Sequence, residues 1–194
     1  CSRNFLFFLP AGIRPVKGNL ECLEHLAMVH QARPRISAVF AGPALDAPYT
    51  ERFTAMIARH SAFARWIPQI PPTAMHAAYR SADVVLNASF SEGLSNSLLE
   101  AIAAGRPILA SDIAGNRWPV LGNPGHPPCG DLFDLQDPDD FMQKAIRLVD
   151  DEKRRRDFAE ACLLRAEHLP RPEEEAAGLD RIYRRVLDQA AGGS

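Results

Sequence analysis

Along the chain, short runs of apolar residues alternate with longer stretches whose apolar positions recur every three or four residues. The short runs are apolar on both faces, which is typical of strands buried in a parallel sheet; they cover residues 5–10, 36–42, 64–68, 83–89 and 107–111. The longer stretches have the period of amphipathic helices and cover residues 18–32, 49–61, 71–82 and 95–105. This alternation predicts an α/β domain with a Rossmann-like parallel sheet covered by helices on both faces.

The second half of the sequence is predicted to be mainly helical. A loop rich in Gly and Pro covers residues 122–130, and residues 131–135 favour a short edge strand. Three more helices are expected over residues 137–151, 152–169 and 173–190, which together form a helical C-terminal extension over about 137–191. The first is expected to begin at Asp137 and Pro138, because Asp is a good N-cap and proline fits the first helical position. Residues 1–194 are thus predicted to form a single domain.

Composition excludes several classes of protein. Of the 194 residues, 46% are hydrophobic, enough for a real core, and a net charge of −2 predicts no nucleic-acid partner. No apolar run approaches the roughly 20 residues that span a bilayer. The four cysteines are far apart and form no CxxC pair, so we expect neither a disulfide framework nor a zinc site, and a cytoplasmic location. Because the chain begins without Met and close to its first strand, we expect it to be a part of a longer protein.

The residues that follow the predicted strands are the first candidates for a binding site. In parallel α/β sheets, ligands bind in the crevice beyond the carboxyl ends of the strands. After the first predicted strand, Gly12 permits a turn, and Arg14 and Lys17 precede a helix. Two cations beside a helix N-terminus favour an anion site, because the free amides and the helix dipole add to the charges. Ordinary surface cations are the alternative.

After the fourth predicted strand, the segment SEGLSNSLLE places Glu92 just before a helix and Glu100 inside it. Gly93 permits close backbone approach, Ser95 is a plausible N-cap, and the helix amides could hold phosphate oxygens. Glu100 is about five residues into the helix, roughly 7 Å further along, among apolar residues where an unpartnered carboxylate would be costly to bury. The two carboxylates could accept hydrogen bonds from a sugar and a ribose on either side of a diphosphate. A plain helix-end charge and a partly exposed helix position are the alternatives. After the fifth strand, Gly115 offers a backbone amide, or marks a simple turn.

Taken together, these segments resemble the C-terminal domain of group 1 glycosyltransferases, the retaining family 4 with the GT-B fold. The E-x7-E signature of the family is matched by EGLSNSLLE, and the glycines and proline downstream are matched by EAIAAGRPILASDIAG. AAYRSADVVLNAS is similar to the segment of the family that precedes this signature, with Asn87 in place of a usual residue near the strand end. The resemblance covers nearly the whole chain. It implies one half of a GT-B fold, with the N-terminal, acceptor-binding domain of the parent protein absent.

The resemblance also implies a role for each site residue. Glu92 would be the catalytic glutamate that contacts and positions the donor hexose, and Glu100 would bind the nucleotide ribose. The remaining donor-binding residues would be the backbone amides of Gly93, Leu94, Ser95 and Asn96, the cations Arg14 and Lys17, Gly12, Gly115, and Ile70 near the base. Two features depart from the family pattern. Arg14 stands three positions before Lys17 rather than five, with Gly12 in the usual Arg position, and no acidic residue follows Gly115 where the family often has a glutamate.

The implied reaction is retaining transfer of a glycosyl group from a nucleotide-diphosphate sugar to an unknown acceptor. UDP is expected because it is the commonest nucleotide of the family, and no metal or other cofactor is expected. The absent domain could bring the protein to the inner face of a membrane, and it would cover Leu179, Ile182, Val186 and Leu187 of the last helix. Two alternatives remain: a non-catalytic nucleotide-sugar-binding module, and a related GT-B enzyme such as a nucleotide-sugar epimerase. The chain lacks the G-x-G-x-x-G and P-loop motifs of dinucleotide-binding oxidoreductases and NTPases.

Overall fold

The computed structural model describes residues 3–169 and 179–185. Six parallel strands form one sheet in the order β3-β2-β1-β4-β5-β6. The strands are β1 (Phe5–Pro10), β2 (Ile36–Ala41), β3 (Ala64–Ile67), β4 (Val84–Asn87), β5 (Ile108–Ser111) and β6 (Gly130–Phe133). The order reverses between β1 and β4, because the chain continues from β1 to one side and from β4 to the other. Such a switch point opens a crevice at the carboxyl ends of the two strands.

Helices cover both faces of this sheet, which confirms the predicted fold class. They are α1 (Asn19–Ala32), α2 (Ala47–Arg59), α3 (Pro72–Ser81), α4 (Asn96–Ala103), α5 (Ala114–Leu121), α6 (Pro138–Asp150) and α7 (Glu152–Ala166). On one face, α1, α2 and α6 bury Leu23, Phe53 and Phe141 against the sheet. On the other, α3, α4, α5 and α7 form a second core that includes Leu98 and Ile102. The strands β4 and β5 are therefore buried along their whole length, as their apolar sequences predict.

Helix α5 is the one α-helix among the described residues that the sequence pattern concealed. The segment after β5 contains Gly115 and Pro119, which usually mark turns, but the helix begins at Ala114 and includes both. Tertiary contacts compensate for the weak local preference. Val120 is fully buried in the second core, and the Arg165 guanidinium donates hydrogen bonds to the carbonyl oxygens of Pro119 at 2.6 Å and Pro127 at 2.7 Å.

The C-terminal extension is helical where the structure describes it. The Asp137 side chain caps α6, as predicted, by accepting hydrogen bonds from the amides of Asp139 and Asp140. Residues 179–185 are helical and all exposed, Leu179 and Ile182 among them. Val186 and Leu187, the other two residues of that predicted face, lie outside the described residues. Within the described ranges, no helix is long and apolar enough to cross a membrane.

Candidate functional site

The loops that follow β1 and β4 meet at the switch point of the sheet. The Phe90 amide donates a hydrogen bond to the Val16 carbonyl oxygen at 2.9 Å. Gly18 has a φ of 58°, and a Cβ atom there would lie 2.1 Å from the Ala88 carbonyl oxygen. This close approach requires glycine. It brings the short 3₁₀ turn Pro15–Lys17 against the segment that carries Glu92.

Lys17 and Glu92 form an ion pair across the two loops, although they are 75 residues apart in the sequence. The Ser89 hydroxyl donates a second hydrogen bond, 2.7 Å long, to the same oxygen, Oε1 of Glu92. The side chains of Lys17 and Glu92 are only 18% and 14% exposed. Burial opposes ionisation of Glu92, but the hydrogen bonds from Lys17 and Ser89 outweigh it and hold its pKa below the usual value. Glu92 is therefore a carboxylate at neutral pH, with a fixed position.

A run of backbone amides beside this ion pair is left without partners. From residue 91 to residue 97, no amide donates a hydrogen bond to any residue that the structure describes. Gly93, Leu94, Ser95 and Asn96, the four predicted diphosphate ligands, all lie in this run, which leads into the N-terminus of α4. Adjacent unpaired amides at a helix N-terminus, where the helix dipole adds positive potential, are suited to a phosphate.

A cleft of about 650 Å³ lies beside the same helix, at the carboxyl ends of β1, β2 and β3. Three predicted donor-binding residues line it: Gly12, Ile70 and Glu100. Glu100 is exposed on the cleft side of α4. Of the two alternatives for this carboxylate, the structure therefore shows the exposed helix position and not burial among apolar residues. The cleft has the size and the mixed polar and apolar lining of a small-molecule site.

Tyr79 is a cleft residue that sequence reasoning missed. It is 2% exposed, and its hydroxyl reaches no hydrogen-bond partner within the described ranges. Burial and the neighbouring Glu100 carboxylate raise the pKa of Tyr79, so its hydroxyl is protonated and can donate to a ligand or to Glu100. A tyrosine in the last turn of a helix that precedes a buried strand looks like an ordinary core residue. Only the fold shows what its hydroxyl faces.

A second group of polar residues lies buried beneath the Glu92 loop, and only Asn87 among them was singled out by the sequence. Asn87 ends β4 and Ser89 follows it by two residues, Ser111 ends β5, and Asn116 is in α5. Ser111 Oγ donates to the Ser89 carbonyl oxygen at 2.6 Å, and Asn116 Nδ2 lies 3.2 Å from Asn87 Oδ1. All four are at most 6% exposed. The available signal was their position: polar residues at the carboxyl ends of two buried, neighbouring strands.

Two predicted site residues are placed differently from the others. Arg14 is exposed, and among the described residues its guanidinium has neither an ion-pair nor a hydrogen-bond partner, so the structure does not join it to Lys17 and Glu92. Gly115 is buried in the first turn of α5. A Cβ atom there would lie 2.4 Å from the Glu92 carbonyl oxygen and 2.7 Å from that of Gly93. Gly115 thus allows α5 to support the Glu92 loop.

Replacing Gly115 by alanine is expected to displace that loop, because the added methyl group would meet two backbone oxygens rather than a side chain that can move. We expect the nucleotide binding that the resemblance implies to weaken about 10-fold, since one such displaced amide contact is worth on the order of 1 kcal/mol or more. Calorimetric titration with UDP measures it. Ala114→Ser, an exposed change one residue away, is the matched control. Equal affinities of the two variants would contradict the supporting role of Gly115.

No group of three or more His, Cys, Asp or Glu side chains in the described ranges could hold a metal ion. Metal independence remains a prediction. The thiols of Cys22, Cys129 and Cys162 are buried and unpaired.

Comparison with known proteins identifies the family. The family described as "Glycosyl transferases group 1" matches residues 2–163. The chain is 30% identical over 151 residues to "Glycosyltransferase 1 domain-containing protein 1" of Xenopus tropicalis, covering 78% of this chain and 42% of that protein. It is 27% identical over 196 residues to the D-inositol 3-phosphate glycosyltransferase of Thermomonospora curvata, covering 97% and 43%. The chain therefore spans less than half the length of these relatives.

Solved structures share the fold at low sequence identity. Sucrose-phosphate synthase from Thermosynechococcus elongatus superposes with a TM-score of 0.82 at 19% identity, covering 96% of this chain and 46% of that one. Anabaena HepE in complex with UDP and glucose superposes with a TM-score of 0.72 at 20% identity, covering 86% and 44%. With its sheet order, its E-x7-E segment at the switch point and this family match over most of its length, the chain belongs to the group 1 glycosyl transferases.

Proposed function

We propose that this chain is the donor-binding domain of a retaining glycosyltransferase that takes a glycosyl group from a UDP-linked sugar. The observation that carries the proposal is the run of unpaired amides at residues 91–97, beside a glutamate already held as a carboxylate by Lys17. Such a site has donors for a diphosphate and an acceptor for sugar hydroxyls within one loop. The UDP bound to the structural neighbour HepE supports the choice of UDP.

The diphosphate would lie over the N-terminus of α4. The amides of Gly93, Leu94, Ser95 and Asn96 would donate to its oxygens, and the dipole of α4 adds favourable potential. The Lys17 ammonium is close enough to contact Glu92 and would contribute a positive charge at the same place. As the bond between the anomeric carbon and the diphosphate breaks, negative charge grows on the departing oxygen. Preorganised donors in a partly buried site stabilise that charge.

The nucleoside would occupy the cleft. Glu100 would accept hydrogen bonds from the ribose hydroxyls, and the base would lie against the backbone near Ile70. On the other side of the diphosphate, Glu92 would position the hexose, and its negative charge would favour a transition state that carries positive charge on the sugar ring. Glu92 is already paired, so no covalent role is assigned to it. Arg14 is exposed on the loop after β1, and its guanidinium would add a second positive charge for the leaving diphosphate.

Transfer to an acceptor would need a second domain. Phe90 and Leu94, on either side of Glu92 in the sequence, are 45% and 52% exposed, and they form an apolar border at the edge of the site. We propose that an N-terminal domain of the parent protein covers this border and supplies the acceptor. The buried, unpaired thiols support a reducing compartment for the reaction.

Titration calorimetry with UDP, GDP and ADP, followed by UDP-glucose and UDP-N-acetylglucosamine, tests the donor site. We expect saturable binding of UDP, weakened about 10-fold by Glu100→Gln, because hydrogen bonds to charged groups are worth about 1.5–3 kcal/mol. Glu160→Gln, an exposed change on α7, is the control and should bind like the parent sequence. A folded protein that binds none of the nucleotides, or equal affinities of the two variants, would refute the proposed site.

A further inference from the structure

The N-cap residue of α4 does not cap its own helix. Ser95 occupies the N-cap position, but its hydroxyl accepts no hydrogen bond from an amide of the first turn. Ser95 Oγ instead accepts a hydrogen bond from Asn87 Nδ2 at 2.8 Å and lies 3.0 Å from Ser97 Oγ. An N-cap serine ordinarily binds the amide two or three residues further on. Here the amide of Ser97, two residues on, is among those left unpaired.

Asn87 is held in the orientation that this contact requires. Its Oδ1 accepts a hydrogen bond from the Ser89 amide at 2.9 Å and another from Asn116 Nδ2 at 3.2 Å. With two donors directed at Oδ1, the amide group cannot flip without placing its NH₂ against them. Asn87 is 6% exposed and Asn116 is fully buried. Water therefore does not reach these groups to satisfy them if the Asn87 amide were flipped. Asn87 Nδ2 therefore faces Ser95.

The same contacts continue to Glu92. Asn116 Nδ2 also lies 3.0 Å from the Ser111 carbonyl oxygen, which fixes α5 to the end of β5. Ser111 Oγ donates to the Ser89 carbonyl oxygen, and Ser89 Oγ donates to Glu92 Oε1. One buried set of side chains thus holds the Ser95 hydroxyl on one side and the Glu92 carboxylate on the other.

We propose that Asn87, oriented by Asn116, is a positioning residue that keeps the Ser95 hydroxyl away from the α4 amides, so that those amides are free for the diphosphate of the donor. A self-capped helix would offer one amide fewer to the ligand, and the ligand would have to displace the hydroxyl. The identity of the ligand rests on the proposed function, but the uncapped helix does not, and it can be tested in the free protein.

Amide hydrogen exchange, measured by NMR on the chain without ligand, tests the capping step. In the parent sequence, we expect the Ser97 amide to exchange as an unprotected amide. Asn87→Ala releases the Ser95 hydroxyl, which should then cap the helix and slow exchange at Ser97 about fivefold, the size of an ordinary N-cap contribution. The double variant Asn87→Ala/Ser95→Ala should exchange as the parent does. An unchanged rate in folded Asn87→Ala would overturn the proposal.

Calorimetry with UDP and uridine tests the consequence for binding. Asn87→Ala should weaken UDP about fivefold and leave uridine, which has no phosphate, within about twofold. The double variant should regain most of the UDP affinity, because the competing hydroxyl is gone. A residue that only packs the core would weaken both ligands and would not be rescued, and that outcome would overturn the proposal. If Asn87→Ala does not fold, Asn116→Ala, which removes the group that orients Asn87, should show the same difference between the ligands.

The two hypotheses fail in different ways. A parent protein that does not bind UDP would refute the proposed function, and the exchange rates at Ser97 would still decide whether Asn87 prevents capping. A parent protein that binds UDP, with Asn87→Ala binding it equally well, would leave the donor site standing and refute the role of Asn87.

Discussion

Replacing Glu92 by glutamine is expected to lower the rate of glycosyl transfer by about 100-fold, the effect typical of removing one electrostatic contact to a transition state. The substitution keeps the shape of the side chain but removes the charge that would face the sugar in the proposed site, and it leaves the Lys17 ammonium without its carboxylate. In that site the diphosphate and ribose would be bound by other residues, so the loss should appear mainly in kcat and only weakly in the KM for the donor.

Release of UDP from UDP-glucose, catalysed by the protein together with the proposed N-terminal domain, measures this prediction. Glu51→Gln is the matched control, because Glu51 is exposed on α2, which packs on the opposite face of the sheet from α4. Thermal unfolding of both variants shows whether either is destabilised. An unchanged kcat of the Glu92→Gln enzyme would show that Glu92 is not the residue that acts on the transferred sugar. A loss of UDP affinity as large as the loss of rate would show the same.

Replacing Gly18 by alanine is expected to destabilise the domain by about 3 kcal/mol. Part of the loss is the left-handed backbone at φ 58°, where an L-residue is strained by roughly 1–2 kcal/mol. The rest is the contact between the new methyl group and the Ala88 carbonyl oxygen, 2.1 Å away. Relief of that contact requires the loop after β1 to move away from β4, which would also separate Lys17 from Glu92.

Urea unfolding compares Gly18→Ala with Gly93→Ala. A Cβ atom at Gly93 would meet nothing within 4 Å, and the φ of Gly93 is not in the left-handed region. The control should therefore change the free energy of unfolding by no more than about 0.5 kcal/mol. If the two variants unfold at the same urea concentration, the loop after β1 can adjust without loss, and Gly18 does not set the position of Lys17.

Most of the architecture could be predicted from local patterns. The apolar runs predicted the strands β1 to β5 and the short edge strand β6, and the amphipathic stretches predicted the helices around them. The two can be told apart because a strand buried on both faces is a short continuous apolar run, whereas a helix buried on one face has apolar residues every three or four positions. Helix α5 could not be found in this way. Its glycine and proline oppose a helix locally, and it is stabilised by burial of Val120 and by hydrogen bonds from Arg165, a residue of α7.

The candidate site divides in the same way. The sequence pointed to the E-x7-E segment and to Lys17, because these charged residues follow two buried strands and the carboxyl ends of parallel strands form one edge. It did not show that Lys17 pairs with Glu92 while Arg14 remains exposed, since that depends on the path of a loop. Glu100 faces a cleft rather than an apolar core, and Tyr79 looked like an ordinary core residue.

By itself, the sequence determined the fold class, the family and the segments that carry the site, because these follow from local periodicity and from a short, specific motif. Only the tertiary structure decided which groups meet: the pairing of Lys17 with Glu92, the closeness of Gly115 to the Glu92 loop, and the contact that takes the Ser95 hydroxyl away from its helix. Ser95 is an N-cap in any reading of the sequence. Whether it caps depends on Asn87, eight residues earlier at the end of β4. The orientation of Asn87 is in turn fixed by Asn116 of α5. Hydrogen bonds between elements depend on distances that a linear pattern does not contain.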